Sequence, residues 1–259
     1  MDLGIKDKVF IVTGGAKGIG KAIILELANE GAIPIIVGRS EREAIELERQ
    51  ILQDGGQCQA IIKELADEQN CKEVADLAAQ KWGRIDGLVN NAGLNDGAGF
   101  EKGPGAFELS VRVNLFHYYY MAHYCLPWLK KSKGSIVNIS SKTALTGQGG
   151  TSGYAASNGA QLSLTREWAV ELSSFGIRVN AVVPAEVMTP QYESWIHSFD
   201  DPGEKLDSIV SKIPLGNRMT TPGEIAAMTV FLLSERSSHT TGQWMIVDGG
   251  YVHLDRTKT

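Results

Sequence analysis

The residues Thr13-Gly14-Gly15-Ala16-Lys17-Gly18-Ile19-Gly20 lie between an apolar run, Val9-Phe10-Ile11-Val12, and a stretch with Ile19, Ile23 and Leu27 at helical spacing. Gly14 permits a tight turn there, and Gly18 and Gly20 let a ligand and the helix come close to the backbone. A helix opened by such a loop directs its first amides at a pyrophosphate. The chemistry implied is nucleotide binding. In a dinucleotide fold that takes NAD, an acidic residue stands about twenty residues beyond the glycines and holds the ribose 2′-hydroxyl. Gly38 holds that place here with Arg39 beside it, and Lys17 adds a cation within the loop. Both charges favour a 2′-phosphate, so NADP is expected ahead of NAD. The competing reading leaves both as solvated surface charges.

Other chemistries fit less well. His117, His123 and Cys125 are close in sequence. On a helix, however, the two histidines stand about 240° apart at ~100° per residue, so they share no ligand face and no metal is expected. The run Phe116-His117-Tyr118-Tyr119-Tyr120 reads as helix packing or a subunit interface. The 259 residues carry 25 Lys and Arg against 30 Asp and Glu, a formal net charge of −5. That balance argues against a protein built to grip nucleic acid non-specifically. With 43% hydrophobic and 21% charged residues, the chain is neither disordered nor fibrous. The 3 cysteines, Cys58, Cys71 and Cys125, are scattered and form no CxxC, which suits a reducing compartment. Residues 1–8 lack the apolar run of a signal peptide, and no uncharged apolar stretch is long enough to span a bilayer. The expected location is the cytoplasm, without a membrane partner.

The elements that must position the glycine loop alternate along the chain. Apolar runs predict strands at Val9–Val12, Ile33–Val37, Gln59–Ile62, Asp86–Asn90, Ser135–Ile139, Arg178–Val182 and Trp244–Val247. Between them, amphipathic spacing predicts helices over Gly18–Glu30, Glu41–Leu52, Gln69–Lys81, Ala106–Lys130, Ser152–Ser174 and Pro222–Leu233. Strand and helix in strict succession imply a single Rossmann-type α/β domain, 1–259, with a doubly wound parallel sheet of about seven strands and helices on both faces. The most irregular stretch, Pro184–Lys205, follows the sixth strand on the carboxyl edge, where such sheets bind ligands. It is read as a flexible substrate lid spanning 185–215.

The glycine pattern, TGxxxGxG, resembles that of the short-chain dehydrogenase/reductase family, and further motifs in the right order extend the resemblance through nearly the whole chain. Asn90-Asn91-Ala92-Gly93 is similar to the family's NNAG, and Asp248-Gly249-Gly250 to the motif after the last strand. Pro184, Val187 and Thr189 stand in the segment written PGxVxT, and Glu64-Leu65 in the acidic-aliphatic pair that brackets adenine. The resemblance implies a catalytic set of Asn114, Ser141 and Tyr154, with Asn114 shared between structural and proton-relay roles. Taken singly, each has a plain alternative: a turn hydroxyl for Ser141, a backbone partner for Asn114, and packing for Tyr154. The implied cofactor contacts are Gly14, Lys17, Gly18, Ile19, Gly20, Arg39, Glu64, Leu65, Asn91, Ala92, Gly93, Tyr154, the residue at 158, Pro184, Val187 and Thr189. A homotetramer is the family's default.

One match fails. Tyr154-Ala155-Ala156-Ser157 is followed by Asn158, where the family has lysine. Positions four apart share a helix face, so Asn158 still points toward Tyr154 and the ribose, but it brings no charge. A free phenol has a pKa of about 10, and an ammonium alongside stabilises the phenolate. The intact surroundings favour a lysine lost or replaced over a tolerated variant. A narrower resemblance, carried by Lys142–Gly153, Glu167–Val170, Pro184–Pro190, His239–Gly242 and Tyr251–Arg256, is to bacterial L-fucose dehydrogenases. It implies a free sugar oxidised at its anomeric hydroxyl to a lactone. Asn95, Ser141, Gln148, Tyr154 and Glu186 are then expected at the substrate, with His253 or Arg256 as further polar partners and Trp195 stacked on an apolar sugar face. Another alcohol or ketone (a polyol, steroid or acyl ketone) and an inactive nucleotide-binding protein stay open.

Overall fold

In the computed structural model, which describes residues 2–254, seven parallel strands form one sheet. They are β1 (Val9–Thr13), β2 (Ile33–Gly38), β3 (Gln59–Ile62), β4 (Gly87–Asn90), β5 (Ser135–Ile139), β6 (Arg178–Pro184) and β7 (Trp244–Val247). Their order is β3-β2-β1-β4-β5-β6-β7. The chain builds outward from β1 to β3, then returns to the centre and builds the other way. The edge between β1 and β4 is therefore the switch point, where a crevice opens outside the strand ends.

Each strand face meets its own helix layer. Val9 and Ile11 point into a core with Val74, Met121 and Trp168, while Phe10 and Val12 point into another with Ile23, Leu27 and Ile225. Both faces are covered, which is why the strands read as unbroken apolar runs without polar alternation. The helices are α1 (Gly18–Asn29), α2 (Glu41–Gln53), α3 (Glu68–Trp82), α4 (Gly103–Val111), α5 (His117–Ser132), α6 (Ser152–Glu171), α7 (Pro190–Ile196), α8 (Pro202–Val210) and α9 (Pro222–Leu233).

Two expectations need correction. The helix expected over Ala106–Lys130 is split by a π turn at Arg112–Phe116, so α4 and α5 are separate. An inserted π turn disturbs the helical ladder, and side chains reach the carbonyls within it. The Asn114 carbonyl accepts from Gln161 Nε2 at 2.8 Å. The stretch Pro184–Lys205, expected to be irregular, contains α7 and the start of α8. Each helix has proline at its first turn behind a capping side chain: Thr189 accepts from the Tyr192 amide, and Asp201 from that of Glu204. Proline suits that position because its missing N–H has no partner there anyway.

The crevice is held by one hydroxyl. Thr13 Oγ1, fully buried, accepts from the amides of Asn91 at 2.8 Å and Ala92 at 3.0 Å, and donates to the Val89 carbonyl at 3.3 Å. Thr13→Val keeps the shape but strands both amides. It is expected to cost about 1–3 kcal/mol, the penalty for unsatisfied buried polar groups, read as a lowered midpoint in chemical denaturation.

Candidate active site

The nucleotide half of the crevice is built by close approach. Gly14 has φ +65°, and a Cβ on Gly20 would stand 2.2 Å from the Gly14 carbonyl oxygen and 2.7 Å from Asn91 Nδ2. That Nδ2 donates to the Thr13 carbonyl at 2.8 Å, so the loop after β4 holds the glycine turn from behind. No side chain caps the start of α1 at Lys17, which leaves its first amides for an anion. Gly18 lies against Thr189, whose methyl would be 3.3 Å from a Cβ there. The turn thus meets the segment after β6, where Pro184 ends the strand and Val187 bridges to Thr220. Ile19 packs on the α1 side of the sheet and Ala92 on the other. The residues fit a dinucleotide: a small-residue cradle, unspent helix amides and a crevice at the switch point. When bound, an oxidised nicotinamide supplies a hydride acceptor.

Both cations expected near the adenosine already have partners. Lys17 pairs with Glu43 at 2.7 Å and Arg39 with Glu64 at 3.0 Å, all at the surface. Such exposed pairs are worth about 0–1 kcal/mol, so an incoming phosphate can displace them. Leu65 is buried in the core beneath.

The residues expected to be catalytic converge. Ser141 follows β5 and caps a short turn over Lys142–Ala144, its hydroxyl accepting from the Thr143 amide at 3.3 Å. Tyr154 opens α6, and burial raises its phenol above the ordinary value. Hydrogen bonds with the Ser141 and Asn158 side chains pull the other way without cancelling the rise. Neither brings a charge. Asn158 is buried, and its Nδ2 donates to the Tyr154 carbonyl at 2.8 Å. Asn114 braces the site: its Oδ1 accepts from the Leu94 amide at 2.8 Å and its Nδ2 donates to the Ser110 carbonyl at 2.9 Å. A Cβ on Gly93 would lie 3.1 Å from that Oδ1.

The residues expected at the substrate separate. Glu186, 8% exposed, lies after β6, the neighbour of β5 in the sheet, and so shares an edge with Ser141. Its carboxylate is held by Lys142 Nζ on one oxygen and by the Tyr192 hydroxyl at 2.5 Å on the other. Neither Lys142 nor Tyr192 was expected. The signal for the first was a lysine directly after the serine, and for the second a tyrosine in the first turn after the Thr189 cap. Asn95 is exposed and closes its own turn, accepting from the Gly97 amide at 3.2 Å. Gln148 is exposed on the loop before α6, and His253 is exposed after β7. Arg256 lies outside the described residues. Trp195 is 44% exposed, with ring centroids 5.2 Å from Tyr192 and 5.0 Å from Phe199, edge to face.

Among the described residues, no group of three or more His, Cys, Asp and Glu side chains could hold a metal ion. His117 is buried and bonds the Val113 carbonyl at 3.1 Å, and burial lowers its pKa to about 4. His123 stacks on Tyr119 instead. No helix is long and apolar enough to cross a membrane among the described residues.

A family model described as enoyl-(acyl carrier protein) reductase matches residues 14–252. The chain is 36% identical over 250 residues to 3-oxoacyl-(acyl-carrier-protein) reductase FabG of Thermotoga maritima, covering 96% of this chain and 99% of that one. It is 33% identical over 245 residues to the L-fucose dehydrogenase of Bos taurus, covering 94% and 88% respectively. The crystal structure of Cj0485 dehydrogenase superposes with a TM-score of 0.95 at 48% identity, covering 100% of this chain and 99% of that one.

Burial without an adjacent charge gives Tyr154 an alkaline titration. Following phenolate absorbance, the difference between the chain and its Tyr154→Phe variant is expected to appear above the free phenol value of about 10. A difference that appears below it would show a cation acting on the phenol.

Proposed function

Because the chain belongs to the short-chain dehydrogenase/reductase family, we propose that this oxidoreductase removes hydride from the anomeric carbon of L-fucose and yields the lactone, with NADP as the preferred acceptor. The observation that carries the reading is Glu186. An acyl chain or steroid would set apolar surface against this charged carboxylate and return no hydrogen bond. A sugar brings hydroxyls to it. The L-fucose dehydrogenase relative supports the same choice, while the FabG relative keeps other carbonyl substrates within the family's range.

In this mechanism Tyr154 takes the proton of the anomeric hydroxyl, and Ser141 holds that oxygen by a hydrogen bond. Asn114 keeps the loop after β4 in register through Leu94. The segment 185–215 serves as the lid over the sugar, with α7 tied to the floor by the bond from Tyr192 to Glu186. Exposed apolar side chains on α4 and α6, Leu109 at 60% and Val170 at 77%, support assembly into a homotetramer. A cytoplasmic location is part of the proposal.

Asn158 supports a second reading, a member that binds nucleotide and turns over poorly, because it brings no charge to the Tyr154 phenol. Asn158→Lys is expected to raise kcat with L-fucose at neutral pH at least about tenfold, the rate equivalent of one pKa unit. The rate of the unaltered chain should climb toward alkaline pH as the phenol ionises. A panel of sugars, polyols and ketones with NAD and NADP, run on both forms, checks this. Equal rates in the two forms would make the charge unnecessary, and no turnover by either would leave a nucleotide-binding protein.

Cofactor choice has its own test. Arg39→Ala breaks a weak surface pair but removes a charge-assisted bond to a 2′-phosphate, about 1.5–3 kcal/mol. NADP should weaken by one to two decades and NAD far less in equilibrium titrations. Equal weakening of both would assign Arg39 to Glu64 alone.

A further inference from the structure

Lys142 is a puzzle on grounds of stability. Its side chain is 11% exposed and that of Glu186 is 10% exposed, so the pair is withdrawn from water. A buried ion pair rarely stabilises a fold more than apolar residues of the same volume would. Four segments nevertheless cooperate to hold it. Lys142 stands in the turn after β5, Glu186 after β6, Tyr192 in α7 and Tyr251 after β7. Lys142 Nζ lies 4.4 Å from the Tyr251 ring centroid. Asp248 sets that last turn by accepting from the amides of Gly250 at 2.7 Å and Val252 at 2.8 Å. The Glu186 backbone is fixed too, its carbonyl accepting from the Thr220 amide at 2.9 Å. All four segments lie on the carboxyl edge, and Lys142 is the direct neighbour of Ser141.

We propose that Lys142 determines substrate specificity, forming with Glu186 and Tyr192 a subsite for two neighbouring hydroxyls of an uncharged polyhydroxylated substrate. An ammonium has three donors and a carboxylate about four acceptor positions, and the bonds among these side chains use only part of each set. What remains is donors beside acceptors. Each hydroxyl both accepts and donates, so a diol fits such a pair on both counts. The cation and the anion cancel, which gives a phosphate or carboxylate substrate no net attraction. An apolar substrate would cover the pair and offer no bonds. Burial and the bond to Glu186 raise the Tyr192 phenol well above its ordinary value, so it remains a donor. Lys142 directly follows Ser141, which keeps the subsite on the same carboxyl edge as the expected catalytic set.

The proposal rests on the reading of the substrate as a sugar, and the experiment separates the two. Calorimetric titration with nucleotide present measures binding of L-fucose and of its monodeoxy analogues, one hydroxyl removed at a time. The chain is compared with Lys142→Met, Tyr192→Phe and the double variant Lys142→Met/Glu186→Met. The double variant removes both charges together, so it folds without an unpaired buried ion. L-fucose is expected to bind at least about tenfold more weakly to each Lys142 variant, the weight of one bond to a charged group. Nucleotide affinity should not move. For at least one analogue, the penalty for the missing hydroxyl should vanish in the variants, a change that a merely structural role would not produce. Folded variants that keep every deoxy penalty would overturn the role of Lys142 and leave the sugar reading standing. If the unaltered chain binds no sugar but binds a hydroxyl-poor alcohol, the sugar reading fails and the subsite with it.

Discussion

The Thr13 hydroxyl joins the two halves of the sheet where the order of strand addition reverses. Parallel strands hold each other along their length, but a crevice at their ends needs its own fastening, because the ladder stops there. Thr13 takes two amides from the loop after β4, and Asn91 returns a bond to the Thr13 carbonyl. With that loop fixed, Gly14 can turn, Gly20 can lie against the turn, and α1 begins with its amides facing the opening. The cradle is a consequence of backbone positions, and side-chain size matters mostly by its absence.

The other half depends on α6. Tyr154 at its first turn and Asn158 one turn later face the strand edge that carries Ser141, while Gln161 in the next turn donates to the Asn114 carbonyl within the π turn. Position 158 is thus set by the helix period, whichever residue occupies it. An amide satisfies the nearby carbonyl, yet it cannot offset the desolvation of the phenol. Architecture and reactivity are separable at this one position: the fold accepts asparagine without visible strain, and the cost falls on the proton equilibrium.

Features with a local cause were legible in the sequence. The glycine turn and the strand runs depend on residues within a few positions of each other, and they stand where periodicity and spacing put them, while Tyr154 was marked by the family resemblance. The lid helices were encoded as well, by Thr189-Pro190 and Asp201-Pro202, but α7 has only 7 residues and α8 only 9, too short for an apolar stripe to stand out. The break at Asn114 left no trace because a π turn needs no glycine or proline. Glu186 was expected at the substrate, but its partners lie 44 residues upstream and 6 downstream. No spacing rule connects them; the adjacency of β5 and β6 does. Asn95 and Gln148, expected at the substrate for their polarity, both stand at the surface.

The π turn at Arg112–Phe116 also sets a phase. Each residue of an α-helix advances the chain by about 100° around the axis, so one residue more or fewer rotates everything beyond it. Upstream, Ser110 on α4 meets Gly153 on α6 so closely that a Cβ on the glycine would be 2.5 Å from the serine Cβ. Downstream, Tyr118 and Met121 on α5 face the sheet and α3. The turn is what lets both contacts exist on what would otherwise be a continuous rod. Loss of a single residue within it would straighten the rod and force a choice between them, with the tyrosine's helix or the sheet's cover displaced. In this part of the chain, length is under tighter restraint than identity, and point substitution is a gentler form of variation than deletion.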